Sequence, residues 1–139
     1  MSLLSWIRPH SRLDLHLHSQ GSDGKLEPKE LLEACAAAGL DCIALTDHDL
    51  APLLPAGRNS VGKRVLHVIH GVELSGTHDQ NEFHLLVYFP GEMPQSFKDF
   101  CTQRAQSRFD RYERARKILG FEAIPPADAA AKKGQRALT

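Results

Sequence analysis

Asp14-Leu15-His16-Leu17-His18, followed at once by Ser22-Asp23-Gly24, is the stretch on which the reading of this chain turns. Apolar and polar residues alternate, the pattern of a strand with one buried face. Leu13, Leu15 and Leu17 are expected to point into a core, while His16 and His18 share the other face with Asp14 beside them. Two imidazoles leaving one strand end, with a carboxylate in the Gly-flanked turn that follows, have the spacing of the start of a metal site. The pattern does not stand alone. Thr46-Asp47-His48-Asp49, His70-Gly71-Val72-Glu73 and the segment around His84 repeat the theme of an apolar run leading to histidine or carboxylate.

The intervening sequence fits α/β organisation. Pro28 to Ala38 reads as a helix with proline in its first turn, an apolar stripe of Leu31, Leu32 and Cys35 flanked by Ala34 and Ala38, and Gly39 to end it. Cys42–Thr46 is a strand-length apolar run. Strand, helix and strand with short links make a βαβ unit and so a parallel pair. Ala51–Lys63, rich in Pro and Gly, reads as a loop with room for a short helical turn. Val65–Ile69 and Glu82–Phe89 read as third and fourth strands. Ser96 is placed to cap a long helix reaching Leu119, with Gly120 to stop it and Phe97, Phe100, Cys101, Tyr112, Ile118 and Leu119 to pack it. Phe121–Thr139 is expected to be weakly packed.

Length and composition bound the function. At 139 residues and 42% hydrophobic content the chain makes one domain with a real core. Its net charge of zero hides an asymmetry: residues 1–95 carry 7 Lys/Arg against 12 Asp/Glu, and residues 96–139 carry 10 against 5. An acidic half suits cations and a basic half suits phosphate-bearing substrates, although two packed halves that neutralise each other would look the same. Cys35, Cys42 and Cys101 include no CxxC pair, which argues against a disulfide framework and for a reducing compartment. Met1–Pro9 lacks the apolar run of a signal peptide, and no stretch approaches the ~20 apolar residues of a membrane span. The expectation is a cytoplasmic protein without a membrane partner.

Placed at successive strand ends, His16, His18, Asp23, His48 and Glu73 would meet on one rim, joined by His84 if its strand turns it inward. A nitrogen- and oxygen-rich set without thiolate suits Zn, Mn or Fe. Six ligands exceed what one catalytic zinc needs, which argues for two or three divalent ions sharing carboxylates. Four other histidines read differently. His10 and His78 are expected in solvent and His67 in the core, whereas His70 has a claim on the rim.

The segments DLHLHSQGSDG, ALTDHD, HGVELSG and EFHLLVYF, in that order, resemble the first motifs of the PHP family, the polymerase and histidinol phosphatase superfamily. They are most like its stand-alone metal-dependent phosphoesterases, the branch with nucleoside 3′,5′-bisphosphate phosphatases and 5′-3′ exoribonucleases. The resemblance covers Leu13 to Phe89. It implies an α/β fold, part of a distorted (β/α)7-type barrel, with a helical C-terminal insertion segment. Residues 1–95 would be the N-terminal part of the metal-binding domain, and residues 96–139 the basic insertion and tail. It further implies that His16 and His18 hold one metal, Asp23 and His48 serve a second, Glu73 bridges, and His84 holds a third, with Asp14 and Asp47 orienting imidazoles, although Asp47 reads equally well as an exposed loop carboxylate. The basic helix would cover the site, with Arg108 and Arg111 contacting substrate.

The implied activity is hydrolysis of phosphate esters of nucleotides or RNA ends, by a metal-activated water. His70 is a candidate to protonate the leaving group. A complete relative is roughly twice this long and supplies a further His and an Asp-x-His. After His84 this chain has no histidine. The alternatives are therefore a non-catalytic metal- or nucleotide-binding fragment, or a homo-oligomer in which a second copy completes the barrel at an open sheet edge. A histidinol-phosphate-type phosphatase is a further alternative.

Overall fold

The computed structural model describes residues 7–120. The expectation for the tail falls outside them. Strand β1 (Leu13–Leu17), helix α1 (Pro28–Ala37) and strand β2 (Cys42–Leu45) form the expected parallel βαβ unit. α1 opens on a reciprocal capping box between Glu27 and Glu30, where the Glu30 carboxylate accepts the Glu27 N–H at 3.0 Å. It buries Leu32, Cys35 and Ala36, while Ala34 and Ala38 face solvent. β2 is buried at all four positions, as a strand covered on both faces must be. One face, Ile43 and Leu45, packs with Leu32, Cys35, Leu66 and Val68; the other, Cys42 and Ala44, packs with Ile69.

The alternation of β1 is interrupted. Its register with β2 slips between Asp14 and Leu17, so one extra residue sits opposite β2. Leu15 consequently packs on the Cys42/Ala44 side and Leu17 on the Ile43/Leu45 side. Leu13, expected in the core, is 42% exposed.

Strand β3 (Gly57–Val61) occupies part of the segment read as loop. It runs antiparallel to strand β4 (Arg64–His78) through the two-residue turn Gly62-Lys63, in which Gly62 has φ +59°. β4 is far longer than the five residues expected. Residues 67–70 pair with β2 on one side; on the other, residues 64–68 pair with β3 and residues 70–78 with strand β5 (Asn81–Phe89). Glu73 therefore lies within a paired strand, not at a strand end as expected, because the β4–β5 hairpin carries β4 on past the sheet's parallel portion, while His84 lies inside its strand as read. Tyr88 of β5 donates its hydroxyl proton to the Leu15 carbonyl of β1 at 2.7 Å, across the intervening β2 and β4. The sheet is thus curved enough to face its two outer strands towards each other, part of a barrel wall.

Helix α2 (Gln95–Leu119) starts one residue before Ser96. Pro94, with φ fixed near −58°, takes the cap position, and its carbonyl accepts the Phe97 and Lys98 N–H groups. Gly120, left-handed at φ +72°, ends the helix as read. Cys101 and Phe97 pack with Val72, Leu74, Val87 and Met93. Beyond this the expected packing face fails: Ile118 is 84% and Leu119 66% exposed. No helix among the described residues is long and apolar enough to cross a membrane.

Candidate metal centre

The curved sheet brings four imidazoles around one carboxylate. Glu73, on β4, is nearly fully buried. Its Oε2 lies 2.8 Å from His16 Nε2 and 3.0 Å from His18 Nε2, and its Oε1 lies 2.8 Å from His84 Nδ1. His48 Nε2 stands 3.8 Å from both Glu73 Oε2 and Asp23 Oδ2. The rings of His16, His18, His48 and His84 follow one another with centroids 5.0, 4.9 and 4.7 Å apart. All six residues singled out from the sequence are brought together. They form three overlapping groups: His16, His18 and Glu73; His18, Asp23 and His48; and His48, Glu73 and His84.

Each group is placed by backbone geometry. β1 and its bulge deliver His16 and His18. The Ser19–Gly24 turn delivers Asp23, and it folds so tightly that a Cβ at Gly24 would lie 2.1 Å from the His18 carbonyl oxygen. Asp47 fixes that turn. Buried, it accepts the Ser19 N–H at 2.8 Å, the Ser19 hydroxyl at 2.6 Å and the Ser22 hydroxyl at 2.7 Å. It is neither an exposed loop carboxylate nor in direct contact with an imidazole. Its effect on His18 passes through Ser22. With the Ser22 proton given to Asp47, the Ser22 oxygen accepts from His18 Nδ1 at 3.2 Å, and Asp23 Oδ1 stands at 3.2 Å as a second acceptor. Ser22 and Asp23 thus offer acceptors to a proton on Nδ1, the tautomer that leaves Nε2 free to ligate a cation beside Glu73. His48 is brought in by a parallel bridge to Glu73, with the Asp49 N–H donated to the Glu73 carbonyl at 2.9 Å. Asp14 accepts the backbone N–H of His16 at 3.3 Å rather than orienting a ring.

The electrostatics favour a bound cation. Burial pushes the His48 pKa down, and although Glu73 and Asp23 pull it up, the neighbouring His18 and His84 add to the depression. His48 is therefore held neutral, with a lone pair to give. For Glu73, burial works to raise the carboxyl, but the hydrogen bond from His16 and the charges of His48, His16 and His18 outweigh it, and its pKa lies below the usual carboxylate range. His48 Nδ1 is buried and has no hydrogen-bond partner. That atom is not the one turned to the carboxylates: His48 presents Nε2 to Asp23 and Glu73, so a cation among them would be held through Nε2. The imidazole and carboxylate donors fit divalent Zn, Mn or Fe.

The other residues named from the sequence have mixed outcomes. His70 is buried, but away from the rim: its Nε2–H donates to the Leu54 carbonyl at 2.9 Å and its Nδ1 accepts the Met93 N–H at 3.0 Å. It staples the β2–β3 connection to the linker before α2, which leaves no free nitrogen for a leaving group. His67 is half-buried in the strand rather than in the core, while His10 and His78 are exposed as read. α2 does not cover the cluster. It packs on Val72, Leu74 and Val87, whereas Glu73 and His84 project from the opposite face of the same hairpin. The Arg108 guanidinium is paired with the Asp49 carboxylate, and Arg111 is exposed. Asp49 is the residue that sequence reasoning missed. Its signal was its place beside His48, and nothing in the sequence told it apart from a second loop carboxylate.

A curved α/β sheet carrying a His/carboxylate cluster on its concave face defines a metal-binding partial barrel. The chain belongs to the PHP family: the PHP domain matches residues 14–116. It is 31% identical over 116 residues to the 5′-3′ exoribonuclease Rnm of Salmonella typhimurium, covering 82% of this chain and 40% of that protein. It is 34% identical over 76 residues to a 3′,5′-nucleoside bisphosphate phosphatase of Chromobacterium violaceum, covering 55% of this chain and 27% of that protein. A Bifidobacterium adolescentis protein described as a metal-dependent phosphoesterase shares the fold with a TM-score of 0.61 at 22% identity, covering 90% of this chain and 44% of that one. The chain spans about two fifths or less of the length of these curated relatives.

Proposed function

We propose that this chain carries the metal centre of a phosphoesterase that acts on the phosphate esters of nucleotides or RNA ends. In this reading His16, His18, Asp23, His48, Glu73 and His84 hold two or three divalent ions. Residues 1–95 are the N-terminal part of the metal-binding domain, and residues 96–139 are the helical insertion and tail. The convergence of four imidazoles on the buried Glu73 carries the reading, supported by membership of the PHP family and by relatives named for nucleotide and RNA substrates. When bound, the ions would supply an activated water and the charge that polarises a phosphoryl oxygen. The chain's own residues hold and orient. Glu73 presents both oxygens to separate imidazoles, Asp23 faces His18 and His48, and Asp47 fixes the Asp23 turn and supports the Nδ1–H tautomer of His18.

A second reading is favoured by length. The relatives extend well beyond the matched region, so a working centre would need ligands from further chain or from a second copy of this one. Both readings place metal here, and they divide on turnover. The deciding experiment is metal content by mass spectrometry on the 139-residue chain, with hydrolysis of nucleoside 3′,5′-bisphosphates, short 5′-phosphorylated RNA and histidinol phosphate under Mn²⁺. Two or three ions with turnover of the nucleotide substrates support the first reading. Bound metal without turnover by a monomer supports the second. Absence of bound metal sinks both.

A further inference from the structure

We propose that Asp49 is a positioning residue: it clamps helix α2 to the strand that carries Glu73, so that helix and ligand set are held as one unit. The bearing of this clamp on catalysis rests on the phosphoesterase reading above; the clamp itself does not.

Asp49 is 2% exposed, and its N–H and both carboxylate oxygens are engaged. Its N–H donates to the Glu73 carbonyl at 2.9 Å, and its Oδ1 accepts the Ser75 N–H at 3.0 Å. It therefore grips β4 at the residue at the centre of the cluster and again two residues on. Its Oδ2 is paired with Arg108 of α2, and Arg104 Nε stands 3.8 Å from its Oδ1. Arg104 also donates through Nη2 to the Ser75 carbonyl at 2.5 Å. The helix is thus tied by two arginines to the β4 backbone around Glu73 and to the neighbour of His48.

The clamp is a substantial part of what docks α2. The helix buries only Cys101 fully, and its contribution to the Val72/Met93 cluster, Phe97 and Cys101, comes from its first two turns. Arg104 and Arg108 extend the attachment further along the helix. The local backbone is committed to this arrangement. Asp49 has φ +50°, a left-handed conformation that Asp and Asn tolerate better than other non-glycine residues. A half-buried guanidinium facing a buried carboxylate is costly to break from one side, because the surviving charge is left unpaired. Asp49→Asn is therefore a clean probe: it keeps the backbone conformation and an acceptor for the Ser75 N–H, and it removes the charge that Arg108 needs.

The experiment is hydrogen exchange of the α2 amides from 102 to 112 in the metal-free chain, followed by Mn²⁺ titration calorimetry on the same samples. The variants are Asp49→Asn, Arg108→Gln, their combination, and Arg108→Lys. Loss of a charge-assisted pair should raise exchange in this segment about tenfold or more, with amides of α1 and β2 unchanged. The double variant should be no worse than the worse single one, as expected for two ends of one interaction. Mn²⁺ affinity should fall several-fold in Asp49→Asn and in Arg108→Gln, with partial recovery in Arg108→Lys. A helix whose exchange ignores Asp49→Asn overturns the clamp. Looser exchange in Arg108→Gln with unchanged Mn²⁺ affinity overturns the coupling to the ligand strand. If the unsubstituted chain takes up no Mn²⁺ while the exchange pattern holds, the metal-centre reading fails and the clamp stands.

Discussion

The Tyr88 hydroxyl reaches across the curved sheet and donates to the Leu15 carbonyl at 2.7 Å, joining β5 to β1. Those two strands supply His84 and His16, which meet on Glu73 from opposite sides. The bond therefore holds the mouth of the cluster at a fixed width. Burial, with Glu73 and Asp14 nearby, pushes the Tyr88 pKa above its ordinary value, so the hydroxyl keeps its proton throughout the neutral range. Removing it in Tyr88→Phe is expected to cost about 1 kcal/mol, because the partner carbonyl is near solvent and can recruit water. Its larger effect should be local. His84 should lose its fixed approach to Glu73, seen as broadening of its imidazole resonances, while His18 and His48 are unchanged.

Asp47 makes a sharper case. One buried carboxylate satisfies three donors of the Ser19–Ser22 turn, and through Ser22 it supports the Nδ1–H tautomer of His18. Asp47→Ala leaves the Ser19 N–H and two hydroxyls without their acceptor inside the protein. The expected loss is about 2–3 kcal/mol, read as a lower urea midpoint with an unchanged slope. Ser22→Ala removes one of the three donors to Asp47 together with the His18 Nδ1 contact, and should cost less than half as much. It should, however, release the His18 proton to either nitrogen, which ¹⁵N shifts of the imidazole would report. Equal stability losses in the two variants would contradict the arrangement.

The cysteines give a pH dependence. Burial pushes the Cys42 thiol to about 11, and burial with the nearby Asp49 charge does the same for Cys101. In the unfolded chain both return to an ordinary thiol value near 9. Between these values the folded protein holds protons that the unfolded chain has lost, so stability falls as pH rises through that window. The urea midpoint should decline from pH 9 to pH 11, less steeply in Cys42→Ala/Cys101→Ala. At pH 8 the native thiols should resist iodoacetamide, and all three cysteines should react once the chain is unfolded.

The parts of this structure that were legible in the sequence are those written in short-range patterns. The parallel βαβ unit followed from the Pro28-to-Gly39 helix signals and the apolar run after it. The six residues of the cluster stood out by residue type, most of them next to apolar runs of strand length. What stayed hidden depends on pairing between distant segments. β3 was masked by Pro55, Gly57 and Gly62, which read as loop punctuation, and only the β4 edge beside it makes a strand of Gly57–Val61. The bulge in β1 is a register event with β2, invisible in a pattern of alternating leucines. The face on which α2 lies was misjudged for the same reason: Val72 and Glu73 are neighbours in sequence and lie on opposite sides of the hairpin. Arg108 then looked free for substrate, because its partner Asp49 is 59 residues away.

The overlap of the three ligand groups makes a prediction about stoichiometry. Glu73, His18 and His48 each belong to two groups, whereas His16, Asp23 and His84 each belong to one. Under the proposed metal assignment, substitution of a shared residue removes donors from two ion positions at once, and substitution of an unshared one leaves two positions intact. Glu73→Gln, His18→Ala and His48→Ala should therefore lose more ions per chain than His16→Ala, Asp23→Asn and His84→Ala. Glu73→Gln preserves side-chain volume and removes the carboxylate that, alone among the described residues, touches His16, His18 and His84 together, so its loss should be the largest. The measurement is native mass spectrometry of each variant after Mn²⁺ loading, with circular dichroism to show that the fold is retained. A uniform loss of one ion across all six variants would mean that the positions do not share ligands, and the cluster would then have to be redrawn as separate sites.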